Sequence, residues 1–261
     1  MRFTLHRSGF SLVELSIVLV ILGLLTGGIL SGQSLIRAAQ MRAAFTETQH
    51  LLASMHTFRD KYFMLPGDLS NATSFWGIAA GTGSDNACRI FTSTDQKTCN
   101  GNGDGILASS TGSVETYRLW QHLANAGFIQ GSYTGQGGSY LPYINMLGSR
   151  VDSAAMWTIG NTACPGTGSS VTYDGTCGNR IALVRRQDPS FIATLSAEEV
   201  WNIDTKIDDG APYSGRIRAS WGASVSAAGV QCTLAADGTD KSVGYNFADT
   251  NKNCIMYVIN W

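Results

Sequence analysis

The chain has 261 residues and a formal net charge of −1, with charged residues at 14% against about 25% in an ordinary soluble domain. Its length allows one large domain or two small ones, and it lacks the basic excess of an electrostatic nucleic-acid binder, so no nucleic acid is expected among its partners. Glycine (30 residues), serine, threonine and asparagine fill the shortfall, while 10% aromatic residues provide material for a core and argue against disorder.

The chain opens with a short polar stretch, Met1 to Gly9, made positive by Arg2, His6 and Arg7. From Phe10 to Leu30 it reads FSLVELSIVLVILGLLTGGIL, 21 residues with one charge, Glu14. A helix of about 20 apolar residues spans a bilayer core. The arginines on its near side predict a cytoplasmic N-terminus and put everything after the helix beyond the membrane. A cleaved secretory signal would have an apolar region of about 7–15 residues followed by a small-residue cleavage site; this run is longer and continues into helix. A plain signal anchor leaves Glu14 unexplained, because a carboxylate at the centre of a membrane helix costs about 2.5–3.5 kcal/mol and needs a partner. Gly23, Gly27, Gly28 and Gly32 give two G-x-x-x-G spacings, which suit close helix packing and are also common in membrane helices in general.

The stretch Arg7-Ser8-Gly9-Phe10-Ser11-Leu12-Val13-Glu14-Leu15 resembles the type IV prepilin signal of pilins and type II secretion pseudopilins. The resemblance implies cleavage between Gly9 and Phe10 by prepilin peptidase, N-methylation of Phe10, and an assembly role for Glu14. The new amine can pair with the Glu14 carboxylate of a neighbouring subunit, which offsets the cost of burying two charges and sets register more than stability. It also implies, as further partners, an inner-membrane assembly platform and other pilin or pseudopilin subunits. The location implied is the bacterial inner membrane, crossed once with a periplasmic head, and then a pilus or pseudopilus.

Past Ser31 the helical pattern becomes amphipathic. Ala38, Met41, Phe45, Leu52, Met55 and Tyr62 form the expected apolar stripe, with Arg37, Arg42, Glu47, Arg59 and Asp60 on other faces. One helix of some 50 residues is expected from Phe10 to about Tyr62, stopped by Leu65-Pro66-Gly67-Asp68. The run Tyr62 to Asp68, with Asn71-Ala72-Thr73 and Trp76-Gly77, resembles a group of large pilin-like proteins that carry an L-P-G-D stretch. The expected domains are a leader (1–9), a transmembrane half-helix (10–30), a stem (31–62) and a disulfide-containing head (63–261).

In the head, Ser113 to Ala126 predicts a helix with Val114, Tyr117, Trp120, Leu123 and Ala124 inward and Gly127 as its stop. Ser196 and Glu199 form a capping box for a helix to about Ile207, ended by Asp208-Asp209-Gly210. Strands are expected at Ala154–Ile159, Ile181–Arg185, Arg216–Trp221, Val230–Leu234, Val243–Phe247 and Ile255–Ile259. The fold class expected is α+β, a long N-terminal helix with a mainly antiparallel sheet, as in pilins.

Six cysteines, Cys88, Cys99, Cys164, Cys177, Cys232 and Cys254, all follow the apolar segment. Their even number points to disulfides in an oxidising compartment, with 15 connectivities open. Sequential pairing is expected, because each neighbouring pair brackets a polar, glycine-rich stretch, and closing about 15 residues is worth roughly 3 kcal/mol. Zinc is disfavoured, since there is no C-x-x-C and no histidine near a cysteine.

Asn100-Gly101-Asn102-Gly103-Asp104-Gly105 matches the first half of a calcium loop, making Asn100, Asn102 and Asp104 candidate ligands. The twelfth position is Thr111 instead of Glu, so a plain Asn-Gly turn competes, and calcium is the one cofactor the sequence admits. Asp249 to Asn253 is a second oxygen-rich stretch. Catalytic signatures are absent: no H-E-x-x-H, G-x-S-x-G or phosphate-binding loop occurs, and His50 and His56 are six apart. A non-enzymatic filament subunit, its large head suiting a minor one, is the expected function, with a membrane-tethered binding module docking a substrate, a surface or calcium as the alternative.

Overall fold

A computed structural model describes residues 11–79, 95–107, 115–162, 178–187, 190–221, 232–234 and 243–259. The chain divides into two compact units, Met1–Arg42 and Ala43–Trp261.

Helix α1 runs Leu12–Tyr62 through both units. In the first unit the large side chains from Leu12 to Leu30 are exposed, with Leu12 at 88%. The hydroxyls among them turn back on their own helix: Ser16 Oγ donates to Val13 O at 2.9 Å, and Thr26 Oγ1 to Leu22 O at 2.8 Å. In the second unit α1 buries Ala44, Thr48, Leu51, Leu52, Met55 and Phe58. This stripe corrects the expected one. Only Leu52 and Met55 are shared, and Ala38 is exposed. The small Ala44 and Thr48 keep the helical spacing with Leu51, Met55 and Phe58, and Thr48 buries its hydroxyl by donating to Ala44 O.

Phe63 ends α1 in the left-handed region (φ 58°), its N–H donating to Arg59 O at 2.8 Å. A non-glycine residue there costs roughly 1–2 kcal/mol. The Leu65–Asp68 turn follows, with Gly67 at φ 89° and its Asp68 N–H donating to Leu65 O. A Cβ on Gly67 would collide with the Glu115 carbonyl, so both conformation and space require glycine. A short helix α2 (Ala72–Trp76), absent from the sequence reading, comes next.

Helix α3 (Glu115–Asn125) stops in a Schellman motif, with Phe128 N–H donating to Leu123 O and Gly127 N–H to Ala124 O. Helix α4 (Ala197–Ile207) starts from the expected capping box: Ser196 Oγ accepts from Glu199 N–H, and Glu199 Oε2 accepts from Ser196 N–H. The strands are β1 (Leu147–Gly148), β2 (Ala155–Thr162), β3 (Gly178–Gln187), β4 (Ser190–Ile192), β5 (Ile217–Trp221) and β6 (Cys254–Ile259).

The sheet order is β1-β2-β3-β6-β5, with β4 also on β3, and all of these pairings are antiparallel. The register sets Trp157 opposite Leu183, Ile181 opposite Val258 and Ala219 opposite Met256. Ala155–Ile159, Ile181–Val184 and Cys254–Val258 are buried without alternation, so the central strands are covered on both faces. The architecture is α+β, as expected.

Among the described residues, two of the expected strands are reduced to a single bridge. The described parts of Val230–Leu234 and Val243–Phe247 meet only in a bridge between Thr233 and Tyr245. The chain turns at once after Tyr245: Asn246 Oδ1 accepts from Ala248 N–H and Asn246 O from Asp249 N–H. Cys232 and Cys254 are joined by a disulfide, with Cα atoms 5.0 Å apart.

Candidate functional site

The first candidate is the start of α1. Glu14 Oε2 accepts from Ser11 N–H at 2.8 Å, and Ser11 Oγ accepts from Val13 N–H at 3.3 Å. Ser11-Leu12-Val13-Glu14 is therefore a helix-start signature, S-x-x-E, that the sequence reading left unused. Gly9 and Phe10 lie outside the described residues. The helix is long and apolar enough to cross a membrane, and none of its apolar window is buried. Leaving those side chains in water forfeits about 1.5–3 kcal/mol for each, on the order of 20 kcal/mol together, more than the roughly 5–15 kcal/mol that holds a domain folded.

The second candidate is the Asn100–Gly105 loop. Every side-chain oxygen named for calcium already accepts a protein N–H. Asn100 Oδ1 takes Thr73 N–H at 2.9 Å, and Asn102 Oδ1 takes Asp104 N–H at 3.0 Å. Asp104 takes Ile106 N–H on Oδ1 at 2.7 Å and the Asn102 amide on Oδ2 at 2.9 Å. The loop is held from beneath by buried Asp68, which accepts from Gly103 N–H at 2.6 Å and Gly105 N–H at 2.8 Å. Burial pushes the Asp68 carboxyl up, and those two N–H groups oppose the rise. These bonds account for the loop's shape without a cation. Asp249 behaves alike: it accepts from Asn251 N–H at 3.0 Å, which holds its carboxyl below the usual range.

Helix α3 closes this region with polar side chains. Glu115, Arg118, Gln121 and His122 are all buried. His122 Nδ1 accepts from Gly67 N–H at 2.9 Å. Its Nε2 must then carry the proton and donate to Thr98 Oγ1 (3.0 Å) or Cys99 O (3.3 Å). Burial, aided by the Arg118 charge, pushes His122 down to about 3, so it stays neutral. Gln121 Oε1 accepts from Thr98 Oγ1 and from Arg118, each at 2.7 Å. Arg118 is itself lowered to about 10 by burial. The group ties Gly67, the Thr98–Cys99 segment and α3 together as a structural knot.

Residues 4–30 match the family model of the prokaryotic N-terminal methylation motif. No curated protein and no solved structure matches the chain. The motif is the signal of type IV pilins and pseudopilins, and its span includes Gly9, Phe10 and Glu14. A chain with this methylation motif is of the type that prepilin peptidase processes and that assembles with other pilins. The motif points to a structural protein, and with the apolar helix it fits membrane anchoring and pilus assembly.

Behind the methylation motif, the second unit holds its part of α1 through an acid that the sequence reading left on an outer face. Glu47 accepts from Ser149 Oγ (2.6 Å), Arg150 N–H (3.0 Å) and Trp157 Nε1 (3.3 Å). A groove of about 690 Å³ opens there, lined among others by Glu47, His50, Leu51, Tyr133, Tyr143 and Arg150. Tyr143 stands in the left-handed region at φ 63°, and its ring covers Gly148, where a Cβ would not fit.

Asp204, Asp208 and Asp209 bring carboxylate oxygens within 4.8 Å of one another at the end of α4. Each is engaged: Asp204 with Tyr245 OH (2.7 Å), Asp208 with the N–H groups of Arg216 and Ile217, and Asp209 with Ala211 N–H (3.0 Å). Of the other cysteines, Cys99 is buried and disulfide-bonded, while Cys88, Cys164 and Cys177 lie outside the described residues. Arg185 faces Asp152 at 3.6 Å.

Proposed function

We propose that the chain is a structural subunit of a type IV pilus or a type II secretion pseudopilus. Prepilin peptidase cuts it after Gly9 and methylates Phe10, and the helix from Phe10 to Leu30 holds it in the inner membrane with its N-terminus cytoplasmic and residues 63–261 periplasmic. An inner-membrane platform then moves it into a filament, where Glu14 meets the methylated amine of a neighbour. The large head suits a minor component present in short runs.

The observation that carries this reading is the coincidence of the methylation motif with a helix whose apolar side chains have no cover. In hydrocarbon those side chains are satisfied and the backbone bonds itself. The remaining misfit is the Glu14 carboxylate, which a cationic amine neutralises.

Mass spectrometry of the mature chain from sheared filaments and from membranes tests it. The expected chain starts at methylated Phe10 and occurs in both fractions. A chain that keeps Met1, or one that lacks the apolar helix, refutes the reading. The groove beside Glu47 and Tyr143 favours a second reading, a membrane-tethered module whose head binds a ligand. Saturable binding by the full chain, with no filament fraction, would select it.

A further inference from the structure

The second unit bears two exposed apolar patches with oppositely charged rims. One lies where α1 ends. Phe63 is 89% exposed, and Phe75 and Ile78 are more than half exposed. Phe75 belongs to a run of rings, with Tyr62 at 5.1 Å and Trp76 at 5.9 Å. Arg59 and Lys61 are exposed on this rim, and Lys61 Nζ sits 5.1 Å over the Tyr62 ring. Asp60 opposes them, while Asp95 is paired with Lys97 at 3.1 Å.

The other patch lies on α4 and the chain before β6. Trp201 and Phe247 are exposed, with ring centroids 5.5 Å apart, and Leu234 is exposed where its N–H donates to Gly244 O. Its rim is acidic. Glu198 precedes Trp201 by three residues on the helix, Asp208 and Asp209 end that helix, and Asp249 follows Phe247 by two, against Lys206 and Lys252.

Phe63 is the telling residue. The backbone there favours glycine, yet a phenylalanine occupies it and holds its ring in water. Neither the cap nor the core calls for that ring, and an outlier kept at such cost points to a contact made elsewhere. We infer that the Phe63–Phe75–Ile78 patch of one copy docks on the Trp201–Phe247 patch of a second copy of this chain. Apolar burial drives the association, and the basic rim meeting the acidic rim selects the pairing. Docking of the first patch on itself would set Lys61 against Lys61. Because the surface offered differs from the surface received, each joined pair leaves one patch of each kind free, on which further copies can add. The contact rests on the filament reading, for which it supplies the join between consecutive heads in a short run.

The test replaces Phe63 by p-benzoylphenylalanine in the full chain, in its membrane and in filaments. Irradiation is expected to give a dimer of this chain with the adduct inside residues 197–210 or 243–250. Lys61→Glu should lower the dimer yield several-fold, and adding Glu198→Lys to the same chain should restore it. Adducts on another protein alone, adducts elsewhere on a second copy, no adduct, or a yield that the charge exchange leaves unchanged would each overturn the inference. The photoproduct is read whatever residue the chain starts with. A chain that keeps Met1 therefore refutes the filament reading without touching this result, and a missing dimer leaves the processing result intact.

Discussion

Two helices of this chain depart from ordinary burial in opposite senses. The first unit's part of α1 exposes leucines, isoleucines and valines, whereas α3 buries Glu115, Arg118, Gln121 and His122. The exposed apolar face lacks a non-aqueous phase, which a membrane or other helices would provide. His122 and Gln121 of α3 have partners in the Gly67 turn and the Thr98–Cys99 segment. An apolar surface without cover points outward to assembly, and a polar interior whose side chains bond one another and the backbone points inward to the uniqueness of the fold.

The sharpest way to break this comparison is at Glu14. Glu14→Ala is expected to leave cleavage intact and to remove nearly all the chain from the sheared-filament fraction, scored by immunoblot against the membrane fraction. Wild-type recovery in filaments would deprive Glu14 of its assembly role.

His122→Leu attacks the other side. It leaves the buried Gly67 N–H and the Thr98 hydroxyl without their ring partners, and unsatisfied buried groups cost about 1–3 kcal/mol each. The full chain in detergent should unfold at a distinctly lower urea concentration, read by tryptophan fluorescence. An unchanged midpoint would mean that the knot around α3 is not needed.

The smallest effect separates two buried titrating groups. Burial pushes Asp204 up to about 7 from its ordinary 3.8, with Asp209 and Asp208 adding to the rise and Tyr245 and the Gly210 N–H opposing it. Its contribution to stability is complete below 3.8 and is lost as pH rises through about 7. His122, held near 3 instead of 6.5, has the opposite sense: its contribution is present above 6.5 and is lost as pH falls towards 3. Between 3.8 and 6.5 the two oppose each other. Asp204→Asn keeps an acceptor for Tyr245 and removes the first effect. The variant should be more stable than wild type at pH 8 and should lose stability more steeply from pH 6.5 to 4, followed by thermal melting. Parallel curves for the two chains would count against a protonated Asp204 in the folded state.

What was legible in the sequence was local. The capping box at Ser196 and Glu199, the stop at Gly127 and the turn at Pro66-Gly67 each depend on residues within one helical turn. The Ser11-x-x-Glu14 start is equally local. The buried stripe of α1 departs from the apolar pattern because Ala44 and Thr48 carry little apolar signal, while Phe45 and Tyr62 carry much. Val243–Phe247 has strand composition, but the Asn246 turn draws the backbone away. Glu47 and Asp68 look like surface acids, since their donors lie far along the chain, at Ser149, Arg150 and Trp157 and at Gly103 and Gly105.

By itself, the sequence determined the long apolar helix with its methylation motif, the positions of α3 and α4 and the α+β class, because periodicity, end signals and hydropathy are properties of neighbouring residues. Only the tertiary structure decided which polar side chains go inside, which strands pair as β1-β2-β3-β6-β5, and that the calcium-like loop is held by Asp68. Each of those outcomes joins groups tens of residues apart, and the cost of burying a carboxylate or an imidazole is met by partners whose positions no local pattern encodes.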